Sequence, residues 1–268
     1  MKKFALLLLP FATSCAIGGD SAWSDFHANG YGALYDLGAS GSVRDLSVSQ
    51  GAIDIDGDLT IRRDTDTNIL MGARFGMAPM EVVLSTFDHQ SSHRGSFNGD
   101  FDLGSGSSFT GSSSARTSLD FEMTKLMVGF DFLNTELFRI GLLAGVDMFK
   151  FNDFSVRASQ GGVSQTYTVA SDEEIPIPMI GVRGDLLLPQ GFRVGAEVSG
   201  VSADVDDIDG TFLDMDVQVG WAPMDQDWVE VLIGYRAISF DFSGELDDAS
   251  VDADIDFDGF YWGVGIIF

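Results

Sequence analysis

Hydrophobic and polar residues alternate along most of the chain after residue 68. In the closing segment one parity is entirely apolar: Phe260, Trp262, Val264, Ile266 and Phe268. Eight earlier segments follow the same rule, with charged residues or glycines on the opposite parity: 69–77, 80–87, 125–132, 137–149, 179–188, 192–199, 213–221 and 229–236. Side chains on a β-strand point alternately to its two faces, so a period of two predicts strands. The pattern therefore predicts nine strands.

The connections between these segments alternate in length. The short ones lie at 78–79, 133–135, 189–191 and 222–227, and the long polar ones at 88–116, 152–174, 204–210 and 243–255. Short turns on one side and long loops on the other are typical of transmembrane β-barrels, which usually have an even number of strands. A further strand is therefore expected within residues 28–50, followed by a loop before residue 68. The prediction is ten strands, with eight or twelve as alternatives.

A soluble β-sandwich also has one apolar face on each strand, but its inner faces must be apolar. Here the second parity carries Arg, Lys, Asp, Glu and many glycines. Such residues cannot bury enough apolar surface to form a core. The pattern is consistent once the apolar parity faces lipid and the polar parity lines a narrow lumen. The predicted fold class is therefore all-β, a closed antiparallel transmembrane β-barrel.

The lumen-facing parity carries six basic and eight acidic residues. They are Arg74, Lys125, Arg139, Arg183, Arg193 and Arg236, with Glu81, Asp131, Asp147, Asp185, Glu197, Asp214, Asp216 and Glu230. This near balance predicts ion pairs across a narrow, largely closed lumen, because ten strands enclose much less space than the sixteen or more of a porin. Inward glycines would let long arginine side chains cross. A small selective channel that uses the same charges is the alternative.

The N-terminal segment and the charge of the chain restrict its compartment and partners. Residues 1–16 have two lysines, an apolar run and then small residues, as in a secretory signal peptide, with cleavage after Ser14 or Ala16. Residues 17–268 would then form one barrel domain. Cys15 is the only cysteine, which excludes an internal disulfide and leaves lipidation of Cys15 as an alternative. A net charge of −26 argues against nonspecific binding of nucleic acid.

The last strand carries a recognisable signature. Phe268, preceded at alternate positions by Ile266, Val264, Trp262 and Phe260, resembles the C-terminal signal of bacterial outer-membrane β-barrel proteins. The resemblance implies a Gram-negative outer membrane, contact with its lipid and lipopolysaccharide, and insertion by the barrel assembly machinery. It implies no activity.

Catalysis is not expected, although one group of residues invites comparison with an enzyme class. Ten-stranded barrels include the omptin proteases, whose rim site uses aspartates with a histidine. The group Asp88, His89, Ser91, Ser92 and His93 lies just beyond a predicted strand. However, the omptin Asp-x-His spacing is not met at His89, because Asp88 is adjacent and would point to the opposite face. A flexible polar loop is the prediction, and a rim-site hydrolase is the weaker alternative.

Aspartates are concentrated near the predicted extracellular side. Asp254, Asp256 and Asp258 match the opening of an EF-hand calcium loop, but Gly265 stands where the closing Glu is required. The same parity continues into the lipid-facing side of the last strand, so these aspartates are expected to stand just above the membrane. They would form an acidic rim comprising Asp204, Asp206, Asp207, Asp209, Asp247, Asp248, Asp252, Asp254, Asp256 and Asp258. No cofactor is expected, with weak Ca²⁺ or Mg²⁺ binding at this rim as the alternative.

These features predict an outer-membrane barrel with a structural or surface-interaction role and an unidentified extracellular ligand. A small channel remains the alternative function.

Overall fold

The computed structural model describes residues 26–50, 53–102, 108–135, 137–160, 163–170, 173–205, 208–223, 228–246 and 249–267. Eleven strands account for almost all of them: β1 (Phe26–Gln50), β2 (Ile53–Met77), β3 (Met80–Asp102), β4 (Ser108–Asn134), β5 (Phe138–Gln160), β6 (Val163–Ala170), β7 (Glu173–Leu188), β8 (Phe192–Val205), β9 (Ile208–Trp221), β10 (Val229–Leu246) and β11 (Ala249–Ile267). Among the described residues, no helix is long and apolar enough to cross a membrane.

Ten of these strands form a closed antiparallel barrel. Each wall strand pairs with its neighbours along the chain, and β1 closes the barrel by pairing with β11. Strand β6 pairs with the far part of β5 on the same edge that β7 occupies nearer the other end, because β4 occupies the opposite edge, so β6 continues the line of β7 and adds no eleventh strand to the wall. The predicted fold class and the count of ten wall strands are therefore confirmed, and β1 supplies the strand expected within residues 28–50.

The predicted long loops are wrong. Strands β3 and β4 pair continuously from Met80 opposite Phe130 to Asp102 opposite Ser108, which includes nearly all of 88–116. Most of 152–174, 204–210 and 243–255 is also strand, and the stretch before residue 68 belongs to β2. The barrel therefore continues as paired strands well beyond the segments that the apolar pattern marks.

An apolar band surrounds one half of the outer wall. Every wall strand contributes exposed hydrophobic side chains to it, for example Leu34, Ile69, Leu84, Val128, Leu142, Val182, Val198, Val217, Ile233 and Val264. The band lies beside the short turns at 78–79 and 189–191, which mark the periplasmic end in outer-membrane barrels. A continuous apolar belt of this kind is stable in lipid and not in water. The opposite half, called here the extracellular extension, carries mainly polar residues outside.

The interior changes character at the level where the band ends. Inside the band the inner wall carries charged side chains, including Glu81, Arg139 and Arg183, each at most 2% exposed. Inside the extension it carries a hydrophobic core that includes Phe87, Phe121 and Phe149. The barrel is thus filled along its length, first by ion pairs and then by aromatic rings.

Candidate functional site

The structure places all fourteen predicted lumen charges on the inner wall. Eleven are buried, and Arg74, Arg193 and Asp216 are partly buried. They come from strands β2–β5 and β7–β10, so their contacts cross the lumen as well as running along the wall. Thirteen of them join ion pairs or hydrogen bonds, and the exception is Asp147.

The group nearest the periplasmic end is built around Glu81. Its carboxylate pairs with Arg183 and lies 2.9 Å from Nη1 of Arg139. Asp131 accepts a hydrogen bond of 2.7 Å from Nη2 of Arg183. His27, from β1, places Nε2 2.5 Å from the same Glu81 carboxylate. Two guanidinium groups and two carboxylates therefore neutralise one another at this level.

The next group connects the two sides of the lumen through Asp185. Arg139 donates a hydrogen bond of 3.0 Å to its Oδ2, and Arg74 and Arg193 lie 3.5 and 3.4 Å from its Oδ1. Arg193 also holds Glu230 through two hydrogen bonds of 2.8 and 3.0 Å. This forked contact fixes the planar guanidinium group in position.

The group below the aromatic core is built around Asp214, which is fully buried. Arg236 donates hydrogen bonds of 3.0 and 2.7 Å to its two oxygens, and Nζ of Lys125 lies 2.6 Å from Oδ2. Lys125 also donates a hydrogen bond of 2.8 Å to Glu197. One carboxylate therefore serves two buried cations, and its loss would leave both incompletely paired.

Two acidic residues at this level differ from the others. Asp216 accepts a hydrogen bond of 2.7 Å from the hydroxyl of Tyr261. Asp147 is fully buried, and neither of its carboxylate oxygens has a hydrogen-bond partner. It lies directly opposite Lys125 in the β4–β5 register.

Glycines on the inner wall make room for the arginines, as the sequence predicts. A Cβ atom added to Gly129 would lie 3.1 Å from the guanidinium carbon of Arg183. One added to Gly141 would lie 3.2 Å from the Nε atom of the same side chain. These separations are shorter than ordinary van der Waals contact, and the Cβ atom at Gly141 would also clash with Oδ1 of Asp131, so a larger residue at either position would disturb the pair of Arg183 and Asp131.

Among the residues that the structure describes, the side chains leave little space in the lumen. A cavity of about 20 Å³, lined by Arg74, Lys125, Glu197 and Arg236 among others, is large enough for about one water molecule. On its extracellular side the phenol ring of Tyr35 packs edge-on against Phe87 and Tyr261, with ring centroids 5.4 and 6.0 Å apart. Arg236 lies 5.4 Å from the centre of the Phe87 ring, which joins the charged part of the lumen to the aromatic part.

The hydrophobic core of the extension is centred on Phe121. This residue is fully buried, and its ring centroid lies 5.0 Å from that of Phe257 and 5.9 Å from that of Phe149. Phe121 is on β4 and Phe257 on β11, so the contact joins strands four places apart in the wall. The sequence pattern does not reveal this core, because the residues of the extension are polar enough to resemble loops.

The histidines predicted to lie in a flexible polar loop are in strand β3. His89, Ser91 and His93 share the inward parity and are buried, which corrects the loop prediction. The Ser91 hydroxyl and Nε2 of His93 form a hydrogen bond, and the rings of His89 and His93 stack with centroids 6.2 Å apart. His89 also contacts Asn68 through Nδ1 at 3.2 Å. Asp88 and Ser92 are exposed on the opposite face, so the five residues do not converge.

Burial determines the protonation of the two histidines, which lie beyond the apolar band. Loss of hydration, together with the positive charge that His93 would carry, lowers the pKa of His89 to about 4. Burial also lowers the pKa of His93. Both rings are therefore neutral in the folded barrel at neutral pH.

The lowered pKa of His89 predicts that acid destabilises the barrel. Between about pH 6.5 and pH 4 the unfolded chain binds a proton that folded His89 does not, so stability falls as pH falls through this window. From pH 7 to pH 5 the free energy of unfolding should decrease by about 2 kcal/mol through His89. Urea unfolding of the detergent-solubilised barrel at both pH values measures this, and the His89→Gln variant should show a smaller decrease. Equal decreases in the two proteins would contradict the assignment.

The acidic rim is only partly described. Asp206, Asp207, Asp247 and Asp248 lie outside the described residues. The carboxylate of Asp258 has two partners: Arg63 forms an ion pair with it, and the Tyr235 hydroxyl donates a hydrogen bond of 2.6 Å to it. Within the described part of the chain, no group of three or more His, Cys, Asp or Glu side chains is arranged to hold a metal ion.

The predicted terminal signals are also partly described. Phe260, Trp262, Val264 and Ile266 are exposed on the outer wall within the apolar band, as the last strand of the pattern requires. Phe268, Cys15 and the predicted signal peptide lie outside the described residues.

Comparison with known proteins gives a likeness of fold. No family model and no curated protein matches the sequence. Among solved structures, the outer-membrane protease OmpT from Escherichia coli matches with a TM-score of 0.58 and 13% identity, over 90% of this chain and 97% of that chain. The outer-membrane protein OprG from Pseudomonas aeruginosa gives 0.34 and 14%, over 92% and 97%, and the toluene transporter TodX from Pseudomonas putida gives 0.33 and 8%, over 91% and 89%.

Only the first of these likenesses is close, and at 13% identity it concerns the fold alone. Together, the closed ten-stranded wall, the apolar band and the charged lumen define the class of the protein. The chain is an outer-membrane β-barrel protein.

Proposed function

We propose that the protein is a closed scaffold barrel of the Gram-negative cell envelope, and that its extracellular extension provides a surface for interaction. The observation that carries the proposal is the filled lumen. Ion pairs occupy the barrel at the level of the membrane, and a core centred on Phe121 occupies it above. In this proposal the ion pairs of the lumen stabilise the barrel, and the outer surface of the extension is available to an extracellular partner.

A conducting pore needs a continuous column of water, and the contacts in this lumen argue against one. The guanidinium groups of Arg139 and Arg183 contact carboxylates directly, at 2.7 to 3.0 Å where the pairs are hydrogen-bonded. The cavity beside Lys125 holds about one water molecule. An ion would have to separate several buried pairs in order to pass.

The proposal predicts that the barrel is electrically silent. The purified protein, refolded in detergent and inserted into planar bilayers across a salt series, should show no discrete openings. A water-filled porin inserted under the same conditions is the positive control, and heat-modifiable mobility on gels shows that the barrel is folded. Discrete openings whose ion selectivity changes in Arg183→Gln or Arg236→Gln would instead establish the small-channel alternative.

The remaining sequence signals fit the same proposal. The exposed aromatic and aliphatic parity of β11 is the element that the barrel assembly machinery would recognise, and lipopolysaccharide would surround the wall. Ser91, His89 and His93 are proposed to pack the extension and not to catalyse a reaction, because all three are buried and both histidines are 0% exposed. The protease activity in the name of OmpT is not proposed for this chain.

A further inference from the structure

Four arginines stand side by side across four adjacent strands of the extension. Arg94 of β3 lies directly opposite Arg116 of β4, and Arg116 lies directly opposite Arg157 of β5. Arg62 of β2 follows Ile61, which pairs with Gly95, so it stands next to Arg94. All four side chains are exposed. We refer to Arg62, Arg94, Arg116 and Arg157 as the arginine row.

The row is unusual for this chain on physical grounds. The protein has 15 basic residues and a net charge of −26, yet four arginines occupy adjoining positions. Like charges directly opposite each other on neighbouring strands destabilise a sheet. Among the described residues, no carboxylate lies within 4.0 Å of Arg62, Arg94 or Arg116, whereas the neighbouring Arg63 is paired with Asp258. Arg62, Arg94 and Arg116 therefore concentrate positive charge that no described carboxylate neutralises.

The row also lines an open groove of about 610 Å³. The hydroxyl-bearing Ser96 and Ser114 line it with the four arginines. Strands lie about 4.8 Å apart, so four adjacent arginines extend over roughly 14 Å. Each guanidinium group can bind a sulfate, phosphate or carboxylate through paired hydrogen bonds. A linear ligand with regularly repeated anionic groups fits this arrangement.

The residues that line the groove favour a glycan as its ligand. None of the described residues that line the groove is aromatic, whereas single-stranded nucleic acids bind largely by stacking on aromatic side chains. Serine hydroxyls and arginines together suit a chain that carries both hydroxyl and acidic groups.

The position of the row indicates a ligand outside the membrane. On β3 the outward apolar residues end at Leu84, ten positions before Arg94, which corresponds to about 25 Å along the barrel axis for a strand tilted by about 40°. Asp88 and Glu122, which are paired in register and exposed, stand between the membrane and the row. These carboxylates would repel lipid phosphates at the membrane surface.

We propose that the arginine row binds a soluble, sulfated or otherwise acidic polysaccharide at the extracellular surface. This inference deepens the surface-interaction role proposed above and names the chemistry of its ligand. The proposed binding is independent of conductance. A barrel that neither conducts ions nor binds the polysaccharide would therefore contradict this inference but not the closed lumen.

The test is titration calorimetry of the folded barrel in detergent with low-molecular-weight dextran sulfate, and with uncharged dextran as the ligand control. The wild-type protein should bind dextran sulfate, and binding should weaken as salt is raised. The Arg94→Gln/Arg116→Gln variant should bind roughly 100-fold more weakly, at about tenfold for each lost charged hydrogen-bond donor group.

The matched control is Arg44→Gln/Lys150→Gln, which removes the same charge from exposed positions outside the row. Its affinity should stay within about threefold of wild type, since distant exposed charges are largely screened. Equal losses in the two double variants would mean general electrostatic attraction and would overturn the site. Heat-modifiable mobility and unfolding by urea verify that both variants are folded.

A second arm separates a soluble glycan from a membrane glycolipid. Wild type and the row variant are compared in nanodiscs that contain lipopolysaccharide with or without its phosphates. The proposal expects lipopolysaccharide association to be the same in both proteins. A row variant that binds dextran sulfate normally but loses phosphate-dependent lipopolysaccharide would overturn the proposal in favour of the glycolipid.

Discussion

Replacement of Asp214 with alanine is expected to lower the free energy of unfolding by about 3–5 kcal/mol, the cost of breaking a buried ion pair by removing one partner. Asp214 is fully buried, lies 2.6 Å from Nζ of Lys125 and accepts two hydrogen bonds from Arg236. Its removal leaves Arg236 without its forked partner, and leaves Lys125 with Glu197 and the hydroxyl of Ser199. Urea unfolding in detergent micelles, followed by tryptophan fluorescence, measures the change.

Two further variants test whether this loss of stability comes from the unpaired buried cations. Asp241→Ala removes an exposed aspartate from β10, and it should change stability by less than about 0.5 kcal/mol. The triple variant Asp214→Leu/Lys125→Met/Arg236→Met removes Asp214 together with both of its cations and leaves Glu197 with Arg74 at 3.6 Å, so it should be closer to wild type than Asp214→Ala is. If the triple variant were the least stable of all, the charges would be net stabilising and the argument from unpaired cations would fail.

The membrane part of the fold could be predicted from the sequence because lipid imposes a simple rule. Every spanning strand must have an apolar outer face, so the parity of Phe130 and Val128 on β4 or of Trp262 and Val264 on β11 identifies both the strand and its orientation. Ten wall strands follow from nine such segments and the usual even number. The same rule assigns the opposite parity to the lumen, where the fourteen charged residues lie.

The strands of the extension could not be predicted in this way, because the rule that apolar residues face outward is reversed where water replaces lipid around the barrel. The parity of β11 continues from Phe260 to Asp258 without interruption, but the outward residue becomes polar and the inward Phe257 becomes part of a core. On β3 and β4 the inward Phe87 and Phe121 follow the same reversed pattern. A search for apolar residues on a constant parity therefore stops at the membrane boundary, and the strands beyond it look like polar loops.

The individual ion pairs could not be predicted from the pattern. Arg183 and Glu81 are distant in sequence, on β7 and β3, and they meet only because the wall closes with a particular stagger between strands. The sequence indicates which charges face inward and that their signs nearly balance. It does not indicate their height in the barrel, which decides the partner of each.

Replacement of Phe121 with alanine is expected to destabilise the extension by about 3–5 kcal/mol, the usual cost of removing a buried phenylalanine from a core. Phe121 contacts Phe257, Phe149 and Phe87 at ring centroid distances of 5.0, 5.9 and 6.0 Å, so its loss leaves a cavity between strands from opposite sides of the barrel. Stability is measured by urea unfolding, and limited chymotrypsin digestion reports where the barrel opens.

The matched control is Phe130→Ala on the same strand, because Phe130 is 49% exposed on the outer wall within the apolar band. Phe121→Ala should be cleaved faster than this control within the extension, while the membrane part keeps its heat-modifiable mobility, because Phe121 itself is not a partner in the ion pairs around Glu81 and Asp214. Equal protection in both variants would show that the extension is held by its strand pairing alone. Simultaneous loss of heat-modifiable mobility would show instead that the aromatic core and the charged lumen unfold as one unit.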